Sequence, residues 1–294
     1  MWQSPMMPSS SNSSQTVSHT LHNGLAIYSV GEGQTVLLMP YPHGFSISPI
    51  AEGTLAQTLV QSGHRVVTFD PPGAFRSTRS AQVTMSEMLD CAQETLCSMG
   101  VRGSFSIVGH SMGGLCAIAY VLAHPSCVQK LVLIGTVSGG PAITRGQGMP
   151  WGMRRTDLDF WRFVIWGLQL SSARGSLALH KKFLRLLWKH SYADKTLIPV
   201  VEITPEDHRL PAPPRDKWPM VARRLDYSQQ IKEIQVPTLV CVGRLDPQAP
   251  VRCSEELADS IPEAHLIVFE RSGHYPFIEE RQPFAEALSS FLVA

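Results

Sequence analysis

The sequence predicts an α/β protein whose mainly parallel sheet is covered by helices on both faces. Apolar strand-like runs alternate with helix-like segments over residues 35–134 and again over residues 238–292. The alternation stops between them, at residues 139–226. A Gly-x-Ser-x-Gly turn at residues 109–113 joins one predicted strand to the next predicted helix. Repeated strand–helix units favour a parallel sheet, because each connecting helix packs on one face of the sheet.

A hairpin is predicted to open the sheet. Asn23-Gly24 separates two strand-like runs at 17–21 and 25–30, and both residue types tolerate the positive φ of a two-residue turn. The later elements are predicted from short apolar runs for strands and from apolar spacings of three or four residues for helices. In chain order they are strand 35–39, helix 51–62, strand 64–70, helix 84–99, strand 105–108, helix 115–123 and strand 128–134.

Residues 139–226 are predicted to form a helical cap inserted after the sixth strand. They hold five of the six tryptophans, with 15 Lys/Arg and 8 Asp/Glu residues, a net charge of +7. The rest of the chain has a net charge of −6. Helices are expected at 157–170 and 176–191, and the lysines and arginine of the second recur every four residues, as on a solvated face.

The strand–helix alternation resumes after the cap with strand 238–243, helix 253–260, strand 265–270 and helix 282–292. The chain is therefore predicted to have an α/β core at 16–138 and 227–294, with the cap at 139–226. Residues 1–15 are rich in Ser and Pro and are expected to be a disordered tail.

Composition excludes several functional classes. A net charge of +1 gives no global field for nucleic acid. No apolar run reaches the roughly 18 residues of a membrane span, and the N-terminus lacks the basic and apolar regions of a secretory signal. Six cysteines without a CxxC pair indicate reduced thiols in a cytoplasmic protein, without a zinc ribbon. We expect a monomer or homodimer with no metal.

Three predicted strand ends carry the residue types of a nucleophilic triad: Ser111, Asp246 and His274. A serine hydroxyl needs a base to take its proton, and the base needs a third group to orient it. The end of the sixth strand, residues 135–138, offers no acid, which favours Asp246. The alternatives are that Ser111 is only a turn residue and that Asp246 caps the next helix.

Four motifs resemble those of the α/β-hydrolase superfamily, in the family's order Ser, Asp, His. They are GHSMGG at 109–114, GRLDPQAP at 243–250, SGHYPFIEERQPF at 272–284 and FDPPGAFRSTR at 69–79. Taking Glu279 as the matching glutamate of the third motif leaves one extra residue before Pro283. The resemblance implies the α/β-hydrolase fold, a capped serine hydrolase of the esterase or prolyl-aminopeptidase-like type, a small-molecule acyl substrate and no cofactor.

The resemblance also implies two backbone N–H donors for an oxyanion. Met112, after the nucleophile, supplies one. The family's His-Gly-x signature matches residues 43–45, so that Phe45 supplies the second. An alternative alignment places Pro42 at the donor position. Because proline has no N–H, the donor would then be Tyr41 or His43.

Other residues are assigned supporting roles. His110 is interpreted as packing or support beside the nucleophile, and Asp70, Arg76 and Ser77 as fixing the loop after the fourth strand. Trp161, Trp166 and Trp188 are expected to line the substrate pocket beneath the cap.

The leading hypothesis is hydrolysis of a carboxylic ester or lactone. One alternative is an aminopeptidase or amide hydrolase, since residues 73–78 resemble the prolyl-aminopeptidase loop, although the elbow does not. Another is a carbon–carbon bond hydrolase, whose members often have Asn and Trp where this chain has His110 and Val242. The non-enzymatic alternative is a ligand receptor with the hydrolase fold.

Overall fold

The computed structural model describes residues 17, 19–42, 50–82, 84–142, 152–171, 176–199 and 221–293. Eight strands within these residues form one sheet, in the order β1-β2-β4-β3-β5-β6-β7-β8. They are β1 His19–His22, β2 Leu25–Val30, β3 Gln34–Met39, β4 His64–Phe69, β5 Phe105–His110, β6 Val128–Ile134, β7 Thr238–Gly243 and β8 Ala264–Phe269. The strands β1 and β2 pair antiparallel with their neighbours, and the other six are parallel.

Helices cover both faces of the sheet, as predicted. Those of the described residues are α1 Thr54–Gln61, α2 Met85–Ser98, α3 Met112–Ala123, α4 Leu158–Ser171, α5 Leu177–Ser191, α6 Val251–Ser260, α7 Pro276–Glu279 and α8 Arg281–Val293. One buried cluster joins a face of the sheet to α2, α3 and α6. A second joins the opposite face to α1, α7 and α8. The strand β3 contributes Leu37 to the first cluster and Leu38 to the second, as alternation along a strand requires.

The insertion after β6 contains α4 and α5, and its two ends meet. Gly139 and Asp226 form an isolated antiparallel bridge. Beside it, the Gly140 N–H donates to the Leu225 carbonyl at 2.7 Å, and the Tyr227 N–H donates to the Ser138 carbonyl at 2.9 Å. The chain therefore leaves the core and returns to it at one place.

A buried carboxylate organises the loop after β4. The Tyr28 hydroxyl donates to Asp70 Oδ2 at 2.6 Å, and the Arg76 N–H donates to the same oxygen at 3.0 Å. The Ser77 hydroxyl donates to the Asp70 carbonyl at 2.7 Å. These contacts tie the loop to β2. Burial raises the pKa of Asp70 to about 6, above its ordinary value of 3.8.

We expect Asp70→Asn to flatten the pH dependence of stability between pH 4 and pH 6. Because the folded-state pKa is raised, the native protein binds this proton more tightly than the unfolded chain does. The contribution of Asp70 to the free energy of unfolding is therefore greatest below the pKa of Asp70 in the unfolded chain. It falls by about 3 kcal/mol as pH rises through the pKa of Asp70 in the folded protein. An amide does not titrate, and its oxygen still accepts from Tyr28 and Arg76.

Urea unfolding at a series of pH values measures this effect. Asp90→Asn removes one exposed negative charge from α2 and controls for the change in net charge. A constant offset between wild type and Asp70→Asn across pH 4–7 would contradict the prediction.

Candidate active site

Ser111 lies in a strained turn between β5 and α3. Its φ is 53° and its ψ is −124°, a conformation that non-glycine residues rarely adopt. The Ser111 N–H donates to the Ile134 carbonyl at 2.8 Å. The Ser111 carbonyl accepts from Thr136 Oγ1 at 2.7 Å and from the Gly114 N–H at 2.9 Å. These contacts with the end of β6 hold the serine in a conformation that is typical of a nucleophile elbow.

Two glycines allow the elbow to pack closely. A Cβ at Gly109 would lie 2.5 Å from the Gly113 carbonyl oxygen, and a Cβ at Gly113 would lie 2.6 Å from the Met39 carbonyl oxygen. The second contact also places the end of β3 against the first turn of α3. The loop that follows β3 therefore starts beside Met112, as expected for the two sides of an oxyanion site.

Asp246 and His274 form a buried acid–base pair. Asp246 follows β7 and His274 follows β8, and their exposed fractions are 4% and 2%. His274 Nδ1 donates to Asp246 Oδ2 at 2.8 Å. The other carboxylate oxygen accepts from the backbone N–H groups of Gln248, at 2.7 Å, and Ala249, at 3.0 Å. This arrangement keeps the proton on Nδ1 and leaves Nε2 as the basic nitrogen.

Asp246 does not cap the helix that follows it. The N-cap of α6 is Pro250, and the helix begins at Val251. The carboxylate of Asp246 instead binds the turn between β7 and α6 and the imidazole of His274. The geometry thus favours the acid role over the capping alternative.

The acid–base pair lies against the strand that also holds the serine turn. An atom added at the Cα of Gly135 would lie 3.0 Å from Asp246 Oδ2 and 3.2 Å from His274 Nδ1. Gly135 directly follows Ile134, which binds the Ser111 N–H. Within the described residues the Ser111 hydroxyl makes no hydrogen bond to His274. The structure therefore brings the three loops together, whereas the serine–histidine bond remains a prediction.

His110 connects the elbow to two other loops. It is buried, and its ring lies 4.5 Å from that of His274, centroid to centroid. Because a carbonyl only accepts, His110 Nε2 must donate to the His274 carbonyl, at 2.8 Å. In the neutral ring Nδ1 then accepts from the Tyr41 hydroxyl. Burial raises the pKa of Tyr41, which keeps this phenol protonated. Sequence reasoning missed the Tyr41 side chain, and no local pattern marks it.

Comparison with known proteins identifies the family. The family model described as "alpha/beta hydrolase fold" matches residues 41–281. The chain belongs to this family. The predicted fold class is therefore confirmed, and the protein is a hydrolase.

Two curated relatives cover most of this α/β-hydrolase. The 2-hydroxy-6-oxononadienedioate/2-hydroxy-6-oxononatrienedioate hydrolase 2 of Pseudomonas putida is 29% identical over 272 residues, which cover 90% of this chain and 89% of that protein. The pimeloyl-[acyl-carrier protein] methyl ester esterase of Nitrosomonas europaea is 23% identical over 265 residues, 90% of this chain and 98% of that protein. The first is named as a hydrolase and the second as an esterase, and the substrates in their names differ.

A solved structure supports the fold of this α/β-hydrolase. An alpha/beta fold family hydrolase from Bacillus anthracis str. Sterne superposes with a TM-score of 0.76. The match covers 94% of this chain and 99% of that chain, at 21% sequence identity. At this identity the likeness concerns the fold alone.

The three predicted pocket tryptophans of the α/β-hydrolase have different environments. Trp161 is 50% exposed on α4, and its indole N–H donates to the Arg155 carbonyl at 2.9 Å. Trp166 packs in the cluster between α4 and α5. Trp188 is buried on α5 against Tyr275, the residue after His274. Of the three tryptophans, Trp188 therefore contacts the residue that follows His274.

Other predicted features can be placed only in part. Phe45 and His43 lie outside the described residues, so the second oxyanion donor stays a prediction. Among the described residues no group of three or more His, Cys, Asp or Glu side chains is arranged to hold a metal ion. No helix in the described ranges is both long and apolar enough to cross a membrane.

Proposed function

We propose that this α/β-hydrolase cleaves a carboxylic ester or lactone through an acyl-enzyme intermediate on Ser111. The observation that carries the proposal is the buried His274–Asp246 hydrogen bond, packed against the strand end that holds the strained Ser111 turn. Serine activation requires a base that a third group orients, and backbone strain is common at nucleophile positions.

The reaction then follows from the placement of each group. Ser111 Oγ attacks the acyl carbon while His274 Nε2 takes its proton. His274 returns that proton to the leaving alkoxide oxygen as the ester bond breaks. Water then attacks the acyl-enzyme while His274 Nε2 takes one of its protons, and His274 gives this proton to Ser111 Oγ as the acyl–serine bond breaks. Asp246 keeps Nδ1 protonated and stabilises the imidazolium. The Met112 N–H and a second donor from the loop after β3, Phe45 or alternatively Tyr41 or His43, stabilise the oxyanion.

The insertion is proposed to act as a cap over this site, with residues 139–226 as the cap and 16–138 and 227–294 as the core. The bridge between Gly139 and Asp226 supports these boundaries, because it closes the insertion at its two ends. A cap at the carboxyl ends of the strands would exclude bulk water and select the acyl group. Trp188 is the best placed of the three tryptophans to contact substrate.

A carbon–carbon bond hydrolase is the second candidate. The relative from Pseudomonas putida, named for 2-hydroxy-6-oxo-dienedioate substrates, favours it. The relative from Nitrosomonas europaea, named as a methyl ester esterase, favours the first candidate. Both reactions would use the same three residues, so the substrate and not the triad distinguishes them.

Two measurements test the proposal. A fluorophosphonate probe should label the folded protein once, and peptide mapping should place the label on Ser111. A panel of p-nitrophenyl acyl esters, lactones, proline p-nitroanilide and a 2-hydroxy-6-oxo-dienoate should show the highest kcat/KM with an ester or lactone. Absence of labelling would contradict every enzymatic candidate. Faster turnover of the dienoate or of the anilide would replace the ester assignment.

A further inference from the structure

We propose that Glu279 is a positioning residue that binds the loop carrying His274 to the C-terminal end of the cap helix α5. The loop comprises residues 271–275 and is called the base loop below, and the end of α5 with the turn after it, residues 191–194, is called the cap anchor. The proposal rests on the proposed function, since it assigns His274 as the base. It predicts that the cap helps to place the catalytic histidine in addition to covering the substrate.

The base loop is held between the core and the cap anchor. The His274 N–H donates to the Ser191 carbonyl at 2.8 Å. A Cβ at Gly273 would lie 2.2 Å from the same carbonyl oxygen. On the other side, a Cβ at Gly243, the last residue of β7, would lie 2.0 Å from the Gly273 carbonyl oxygen. Three backbone segments thus pack in direct contact, with the base loop in the middle.

Glu279 binds two of these segments at once. Its Oε1 accepts from the Gly273 N–H at 2.8 Å. Its Oε2 accepts from the N–H groups of Ala193, at 2.6 Å, and Asp194, at 3.0 Å. Hydrogen bonds to a carboxylate are stronger than neutral ones. Because one oxygen serves the base loop and the other serves the cap anchor, the carboxylate joins them as no amide could.

The cap anchor also touches the acid loop. Gln248 Nε2 donates to Ser191 Oγ at 2.8 Å, and Gln248 is one of the two residues whose N–H groups bind Asp246. The ring of Tyr192 stacks on that of Tyr275, with centroids 4.6 Å apart. Both loops of the acid–base pair therefore contact the same turn of the cap. Loss of the Glu279 bridge would loosen the main chain on each side of His274.

The neighbouring Glu280 provides a matched control. Its Oε2 accepts from the Arg271 N–H at 2.9 Å and from the Ser272 hydroxyl at 2.7 Å. Both hydrogen-bond donors lie in the base loop, and neither lies in the cap anchor. One oxygen makes both bonds, so the amide of Glu280→Gln can preserve them. Glu279→Gln cannot preserve all three of its bonds, because its NH₂ group would face a backbone N–H on one of the two sides.

The experiment compares Glu279→Gln with Glu280→Gln in the full-length chain. For p-nitrophenyl butyrate we expect Glu279→Gln to lower kcat at least tenfold with KM within twofold of wild type, since misplacing a catalytic group reduces turnover steeply. Glu280→Gln should lower kcat less than threefold. Hydrogen exchange, followed by mass spectrometry, should accelerate in peptides covering residues 188–199 for Glu279→Gln alone.

Each outcome decides the proposal. Equal kinetics and equal exchange for the two variants would overturn it. If Glu279→Gln does not fold, wild-type exchange still tests it: residues 188–199 and 270–280 should open in one slow step, and free exchange of 188–199 alone would overturn the bridge. If the fluorophosphonate fails to label wild type, the proposed function fails, whereas the exchange data still report on the bridge.

Discussion

Ser111→Ala is expected to lower kcat for p-nitrophenyl esters by at least about 10⁴-fold. The alanine has no oxygen to form the acyl-enzyme, and the acid–base pair of His274 and Asp246 then has no nucleophile to activate. Any residual rate would come from water attack in a site that still stabilises the oxyanion. Stopped-flow and steady-state assays with p-nitrophenyl acetate measure the loss, including the disappearance of any acylation burst.

The control for this variant is Ser126→Ala, which changes an exposed serine on the turn between α3 and β6. It should keep wild-type turnover and fluorophosphonate labelling. Retention of more than about 1% of wild-type kcat by Ser111→Ala would show that another residue is the nucleophile. Circular dichroism and thermal unfolding of both variants establish that the effect is chemical. Relief of strain at Ser111 is not expected, because alanine would adopt the same positive φ.

The sheet could be predicted from the sequence because its central strands, such as β5 and β7, are short apolar runs buried on both faces. The predicted bounds of β6 and β7 match the observed Val128–Ile134 and Thr238–Gly243. Strand ends in turn locate the candidate site, since parallel strands present their carboxyl ends at one edge. The loops of Asp246 and His274 could therefore be paired before any distance was known. The structure adds the 2.8 Å hydrogen bond between them.

The contacts that fix the site could not be predicted, because most of them involve backbone groups far apart in the chain. Glu279 was noted only as part of a motif, and its partners at the cap anchor lie about 85 residues away. The N–H groups of Ala193 and Asp194 leave no signature in residue type. Similarly, the hydroxyl of Tyr41 reaches the ring of His110 across 69 residues. Such long-range hydrogen bonds form when the insertion and the loops pack on the folded sheet.

Gly243→Ala is expected to reduce both stability and activity. The loss of activity should be larger than the loss of stability explains. Its Cβ would lie 2.0 Å from the Gly273 carbonyl oxygen and 2.3 Å from that of Ser272. Backbone oxygens cannot rotate away as a side chain can. The base loop also cannot withdraw freely, because the cap anchor contacts its other side. Either the end of β7 or the base loop must shift.

We expect the free energy of unfolding to fall by about 3 kcal/mol, in the upper range for overpacking, as measured by urea titration. Turnover of p-nitrophenyl esters should fall by about 100-fold, since a shift of the base loop moves His274 by the same amount. Gly167→Ala is the control: it lies within α4, where the nearest atoms to an added Cβ are 3.9 Å away. That variant should be as stable as wild type or slightly more so, because alanine favours helix.

The two measurements on Gly243→Ala separate two physical causes. If stability falls and turnover per folded molecule is retained, the strand end has moved and the base loop has kept its place between core and cap. If turnover falls further than stability explains, the base loop has moved, which is the result we expect from its contacts on both sides. If the variant is fully active and within about 0.5 kcal/mol of wild type in stability, the end of β7, the base loop and the cap anchor pack more loosely than the distances around Gly273 indicate. The geometry of His274 would then depend on its own loop and not on the cap.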